Sequence, residues 1–403
     1  MSTDSQRVAV SFSAAVPNDI AVTPVRTADE KKLFIQFQYD MYKGHTLFVP
    51  PLLLEREDFL NPKKNPWFDH GRVEFFLARK AGQIVGRIAA SEDPRYNEFH
   101  GTRVGAFGLF ECIDDVNVAR ALLDAANAWC RSRGLTQVMG PASFNSNQEF
   151  GLLVEGTELP PYLMMPYNHG YYAKLIEGAG FAKAKDLWAW EIDVRKPVPE
   201  KIERVAEKIR AREGVLVRQA NMKDFANEVR MIKEIYNQAW EKNWGFVPMT
   251  DREFDQMAKD LKMIVEPSLA LFAYVKGETL PVAFSLTLPD MNHAFKAANG
   301  RLTRFGFLPV GLSKLLWAKS RIKSGRLVIL GTRPGFRKRG LDSILMLDTV
   351  NNARKLGWWG GEIGWTLEDN DMVNRAIELF GCKKYKTYRV YEKQLVTDVP
   401  MKN

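Results

Sequence analysis

The densest grouping of chemically useful side chains lies at 332–341, TRPGFRKRGL, where four cations (Arg333, Arg337, Lys338 and Arg339) accompany two glycines. An apolar, β-branched run at 326–330 leads into it, and a helical period starts at Gly340. A strand, a glycine turn and a helix start leave backbone N–H groups without intrahelical partners, which is a seat for an anion. Thr332, Gly335, Phe336 and Leu341 complete the candidate binding set. An ordinary basic loop has the same outline, so the surrounding charge matters. From 291 to 341 there are twelve Lys and Arg and no Asp or Glu, although the whole chain carries a net charge of only +9. Such a block implies an anionic partner: a phosphorylated cofactor, a nucleic acid or an anionic membrane surface.

Two further stretches stand out. FNSNQEFG (144–151) sets Asn145, Asn147, Gln148 and Glu149 after an apolar strand, which reads equally as a polar site or a tight turn. NWGFVP (243–248) clusters Trp244 and Phe246 in a loop, either as core anchors or as a pocket wall. The five His show no ligand spacing, so neither a metal site nor a Ser-His-Asp enzyme is expected. Cys112, Cys130 and Cys382 lie far apart and read as reduced, buried thiols. No secretion-signal pattern opens the chain, and no run reaches the ~18 apolar residues of a membrane span, so a cytoplasmic location is expected.

The elements that must position these groups come in two rounds. A chain of 403 residues exceeds one ordinary core. Residues 1–19 read as a disordered tail. From residue 20 the pattern gives strand, helix, hairpin, strand, helix, strand, long loop, helix and strand. A charged helical segment at 196–213 reads as a linker, and at 214 the same order restarts and runs to 403. Two units, 20–195 and 214–403, are therefore expected. Residues repeat as well: Leu123-Asp124-x-x-Asn127 matches Leu347-Asp348-x-x-Asn351, and 180–191 aligns without a gap on 381–392. Lys185 then falls on Lys386 and Trp190 on Tyr391. An insertion at 291–325 sets Leu312, Leu315 and Leu316 against Lys314, Lys319 and Arg321. It suits a helix on an anionic bilayer, a wall for an acyl chain, or packing on the sheet.

The repeated unit resembles the Gcn5-related N-acetyltransferase (GNAT) fold. That family's pyrophosphate loop is (Q/R)-x-x-G-x-(G/A), commonly preceded by Pro and an aromatic residue. Pro334, Phe336, Arg337 and Gly340 fit, while Asp342 replaces the last small residue and would repel a diphosphate unless a neighbouring Arg paired with it. The resemblance implies an α/β (α+β) mixed sheet in two tandem GNAT-like acyl-CoA N-acyltransferase domains. Only the second keeps the cofactor loop, because the first has FGLFECIDDVNVARALL there, with three acids and no glycine turn. Among tandem members the chain is most similar to the bacterial acyl-CoA-dependent ceramide synthase-like group.

The resemblance also implies roles. Acyl-CoA is the co-substrate, with no metal, and the acceptor is an amine, a sphingoid-like lipid base in the extended reading. The strands at 326–330 and 361–367 splay to admit the thioester. Glu362 is the candidate base, with Glu368 and Asp369 beside it; inside its strand, Glu362 alternatively serves as a structural edge residue. Asn370 and Gly381 keep the family's Asn-to-Gly spacing. Ile377 stands where a tyrosine acid is common; in the final strand Tyr388 and Tyr391 are candidate donors to the thiolate, with sheet packing favoured for Tyr391, whose repeat mate is Trp190. Asn145, Glu149, Trp244 and Phe246 are the candidate substrate residues. Two alternatives remain: a tRNA-dependent aminoacyltransferase of the peptidoglycan-bridge type, and an inactive acyl-CoA-binding protein. Peripheral contact with the inner face of an anionic membrane is the extended expectation, and nucleic acid is not an expected partner.

Overall fold

Among the described residues thirteen strands, most of them apolar on at least one face, join into a single mixed sheet. The structure is a computed structural model that describes residues 20–241, 243–303 and 308–395. The expected tail at 1–19, part of the insertion (304–307) and the last eight residues lie outside the described residues. The first round supplies β1 (Ile20–Pro24), β2 (Arg72–Lys80), β3 (Gln83–Glu92), β4 (Val104–Cys112), β5 (Gln137–Gly140), β6 (Leu152–Glu155) and β7 (Ala182–Asp193). The second supplies β8 (Leu216–Gln219), β9 (Ala270–Tyr274), β10 (Ala283–Pro289), β11 (Ser324–Thr332), β12 (Gly360–Leu367) and β13 (Lys383–Gln394).

The strand order is β1-β2-β3-β4-β5-β13-β7-β12-β11-β10-β9-β8, with β6 alongside β13. The last strand of each round thus closes the other round's sheet: β13 pairs with β5, and β7 pairs with β12. β7 and β13 also pair with each other, and Leu187 faces Tyr388, its own counterpart in the repeat. The repeat seen in the residues is therefore a two-fold relation about that pair. β6 is absent from the sequence reading. It is four residues long and its partner lies more than 200 residues downstream, so no local pattern announces it.

In both rounds the two parallel strands pair and then part. β4 runs with β5 from Val104/Gln137 to Ala106/Met139, and β11 runs with β12 from Ser324/Gly360 to Leu327/Ile363. A bulge sits beside each split: the ladder passes over Leu109 and Phe110 in β4 and over Val328 in β11. The helix following each of these strands packs on the same kind of face. Val116–Ser132 buries Val118, Leu122, Leu123, Ala126 and Cys130 at helical spacing, and Leu341–Lys355 buries Ile344, Leu345, Leu347 and Val350. The charged segment read as a linker holds the helix Glu200–Glu213, which lies against Leu341–Lys355 through Ile209 and an Arg210–Asp348 pair at 2.6 Å.

Candidate active site

The 332–342 segment forms the expected turn. Thr332 ends β11 opposite Ala283, 334–336 make one short 3-10 turn, and Gly340 takes a left-handed conformation (φ +79°) before the helix begins. A side chain there would be strained and would also strike Ile209, since an added Cβ lies 2.4 Å from Ile209 Cδ1. Leu341 is buried and pins the first turn to the sheet. Among the described residues the backbone N–H groups of 338–343 donate to nothing, and no side chain caps the helix. Unpartnered N–H groups at a helix start are a geometry that can receive an anion.

The cations around it divide by role. Arg337 donates to the carbonyls of Gln238 (3.1 Å) and Ala239 (2.9 Å), near the end of helix Phe225–Trp240. Arg339 pairs with Glu213 at 3.3 Å and lies over the Phe336 ring, as Arg333 also does. Lys338 is exposed with φ +62° and has no partner among the described residues. An added Cβ on Gly335 would meet nothing within 4 Å, so the turn is open on that side. Asp342 is half-buried in the first helical turn, and no Arg pairs with it among the described residues.

Next to the β11/β12 split lies a buried ion pair, with Arg326 Nε 2.8 Å from Glu362 Oε1 and both side chains under a tenth exposed. Glu362 stands in the middle of the sheet, not at an edge, and its second oxygen accepts from Tyr385 Oη at 2.5 Å. Both carboxylate oxygens are thus engaged, one by Arg326 and the other by Tyr385. Arg326 also donates to the carbonyls of Gly364 (2.8 Å) and Leu163 (3.2 Å). Tyr388 is fully buried with no partner for its hydroxyl among the described residues, and burial raises its phenol well above the usual value. A buried polar atom left unpaired calls for a reason. Asn370 caps the helix Asp371–Leu379 through its backbone alone. Glu368 and Asp369 are tied to Lys183 (2.6 Å) and Lys185 (2.8 Å).

The two loops proposed for substrate meet each other. Ser146 and Asn147 donate to the carbonyls of Gly245 and Val247, so 144–151 is docked on 243–248. Asn145 turns away to Asp93 at 2.9 Å. Glu149 pairs with Arg56 at 3.1 Å on the wall of a cavity. Trp244 lies 6.1 Å from Phe150, which is 6.2 Å from Trp365 just past the split, while Phe246 is buried against Phe99 and Tyr236.

Sequence reasoning missed Lys386 and Asp290. Lys386 is fully buried and donates to the Pro160 carbonyl at 2.5 Å. Burial pushes its ammonium down to about 8, against the pull of Glu362 and Asp290. Burial pushes the Asp290 carboxyl up to about 7. The alignment of Lys386 with Lys185 was visible in the residues, but the two mates differ in burial, which the pattern does not encode.

No family model matches the sequence. Among solved structures, a tandem GNAT protein from the clavulanic acid biosynthesis pathway superposes with a TM-score of 0.54 at 10% identity, covering 94% of this chain and 99% of that one. A GCN5-related glucosamine N-acetyltransferase region of a fungal multi-domain β-N-acetylglucosaminidase gives 0.56 at 16% identity, over 95% of this chain and 39% of that one. The fold is thus that of the tandem GNAT proteins. The bacterial ceramide synthase of Caulobacter vibrioides (strain NA1000 / CB15N) is 38% identical over 386 residues, 94% of this chain and 98% of that protein. Protein YghO of Escherichia coli (strain K12) is 36% identical over 376 residues, 91% and 93% of the two chains. The chain belongs to the family of these two proteins, the bacterial ceramide synthase-like tandem GNAT group.

Proposed function

We propose that the protein is an N-acyltransferase that moves an acyl group from acyl-CoA to the amine of a long-chain, sphingoid-like base. The observation that carries this reading is the 38% identity, over nearly the whole length of both chains, to a protein named bacterial ceramide synthase. The unpartnered amides at 338–343 agree with it: they would receive the diphosphate, with Lys338 beside them, while Arg337 and Arg339 hold the turn in shape. We divide the chain into units 20–195 and 214–403 around a 196–213 linker, and assign acyl-CoA to the second.

In this scheme the acyl carbonyl lies in the β11/β12 split. Tyr388 gives its proton to the leaving thiolate, and Glu362 takes the amine's proton through Tyr385. Asn370 sets the start of the helix Asp371–Leu379 that follows β12. The helix Val310–Lys319 exposes Leu312, Leu316 and Trp317 beside Lys314 and Lys319, which suits a cytoplasmic protein resting on an anionic inner membrane face. None of the helices among the described residues is long and apolar enough to cross a membrane.

The test is direct. Purified protein is given acetyl- through palmitoyl-CoA with a sphingoid base, while thiol release and the N-acyl product are followed together. Amide formation with a preferred chain length is expected. Absence of any amide product with every acyl-CoA ends the reading.

A further inference from the structure

The first round has lost its anion seat but not its pocket. A cavity of about 300 Å³ lies at the β4/β5 split, at the lower end of ligand-pocket sizes. Its walls are apolar at Leu109, Phe110, Leu152 and Met165, and charged at five positions. Arg56 sits between Glu55 (2.9 Å) and Glu149 (3.1 Å). Deeper in, Arg87 and Glu111 are both nearly fully buried, 3.7 Å apart, and Glu111 also accepts from Tyr172 (2.7 Å) and Gln38 (3.0 Å). Burial raises the Glu111 carboxyl and lowers the Arg87 guanidinium.

The charge count selects the ligand. Three carboxylates face two guanidiniums, and both guanidiniums are already engaged, so the cavity carries one uncompensated negative charge and disfavours phosphate. Arg87, 3% exposed, keeps an Nε–H with no acceptor among the described residues. A cation that settles against Glu149 and an oxygen that accepts from Arg87 would complete the set, with an aliphatic body against the apolar walls.

The cavity is also next to the proposed reaction site. Leu163 lines it, and the Leu163 carbonyl accepts from Arg326 at 3.2 Å. Gly151 lines it too, and a Cβ there would be 3.1 Å from Tyr388 Cβ. One residue's thickness separates the cavity floor from the groups at the β11/β12 split.

We infer that this cavity is the binding pocket of an aliphatic amino alcohol, its ammonium held by Glu149 and its oxygen by Arg87. Held one residue away from the β11/β12 split, the ligand docks here ahead of transfer; that it is the acceptor base rests on the function proposed above, and that it binds here does not. The experiment is calorimetric titration of the full chain with 2-aminooctan-1-ol and with octane-1,2-diol, which lacks the amine. Tighter binding of the amine is expected, with about a tenfold loss in Glu149→Gln that the diol does not share. Met165→Trp, which fills the cavity, is expected to abolish both, with unchanged thermal stabilisation by acyl-CoA as the control for folding. Equal binding of the two probes, or amine binding indifferent to both variants, overturns the pocket. Glu149-dependent amine binding in a protein that never releases thiol upholds the pocket and removes only the transferase reading. Transfer whose amine KM ignores both variants does the reverse.

Discussion

Two helices begin at equivalent points of the repeat, and they begin differently. Val116–Ser132 starts at Asp115, whose own carboxylate accepts from the amides of Asn117 (2.9 Å) and Val118 (3.4 Å) and pairs with Lys80. Leu341–Lys355 starts at Gly340 with no cap, and cations stand around it. The first helix has satisfied its N-terminus internally; the second leaves it for something else. A capped start gains about 1 kcal/mol. An uncapped one keeps its positive end, with partial charge and N–H groups available to a ligand. The same sheet, split and bulge thus serve two ends, and a few side chains decide which.

The comparison breaks most completely at Gly340. Gly340→Val places a β-branched side chain at φ +79° and against Ile209, at a cost of about 1–3 kcal/mol in backbone strain alone. Acyl-CoA should cease to raise the melting temperature, and thiol release should be lost, while far-UV dichroism stays near wild type. A variant that still binds CoA would remove the cradle from the account.

A second contrast is between Lys386 and its mate Lys185. Lys185 sits near the surface with Asp369, whereas Lys386 is buried and its folded value is lowered from 10.5 to about 8. Between those values the unfolded chain carries a proton that the folded chain lacks, so stability should rise as pH climbs from about 8 towards 10.5. The difference of 2.5 between 10.5 and 8 corresponds to about 3 kcal/mol at most. Asp290, raised from 3.8 to about 7, gives the opposite slope: there the folded chain binds the extra proton, and stability should fall as pH rises from about 4 to 7. Urea midpoints across pH check both. Lys386→Met should flatten the alkaline slope and Lys185→Met should leave it; if both behave alike, the burial contrast has no energetic weight.

Tyr388 sharpens the comparison, because Leu187 faces it across the two-fold. A hydroxyl placed where the mate has none, buried and without a partner, is either an unused cost or a working acid. Tyr388→Phe should lower kcat about 10²-fold without lowering the urea midpoint. Unchanged kcat would make Tyr388 a packing residue.

How much of this was legible in the residues depended on range. The turn at 332–341 is local, and its glycine, its cations and the change of period were all readable in ten residues. The tandem order was readable because 180–191 and 381–392 retain matching side chains. The exchange of β7 and β13 was not, since each strand's pattern is satisfied by any neighbour that buries it. For the same reason Glu362 could be placed on a strand but not assigned the partners Arg326 and Tyr385, which come from 36 residues before and 23 after it. The segment 196–213 looked like a spacer because it is highly charged; its three buried residues, Val198, Ala206 and Ile209, are too few to set a pattern, yet Ile209 is what forbids a side chain at Gly340.

The smallest predicted effect tests the other helix start. Asp115→Ala removes the cap and the partner of Lys80, a partly exposed pair that contributes little, so a loss near 1 kcal/mol is expected in urea unfolding. The uncovered amides of Asn117 and Val118 would then resemble those at 338–343. They would have only the freed Lys80 for a cation: Asp114 adjoins them, and the turn has neither a glycine nor an arginine. Bound CoA should therefore remain at one equivalent per chain, with an unchanged dissociation constant by calorimetry. A second equivalent would mean that the Asp115 carboxylate alone had closed the first round to the cofactor, and that the cations of the second round orient the ligand more than they attract it.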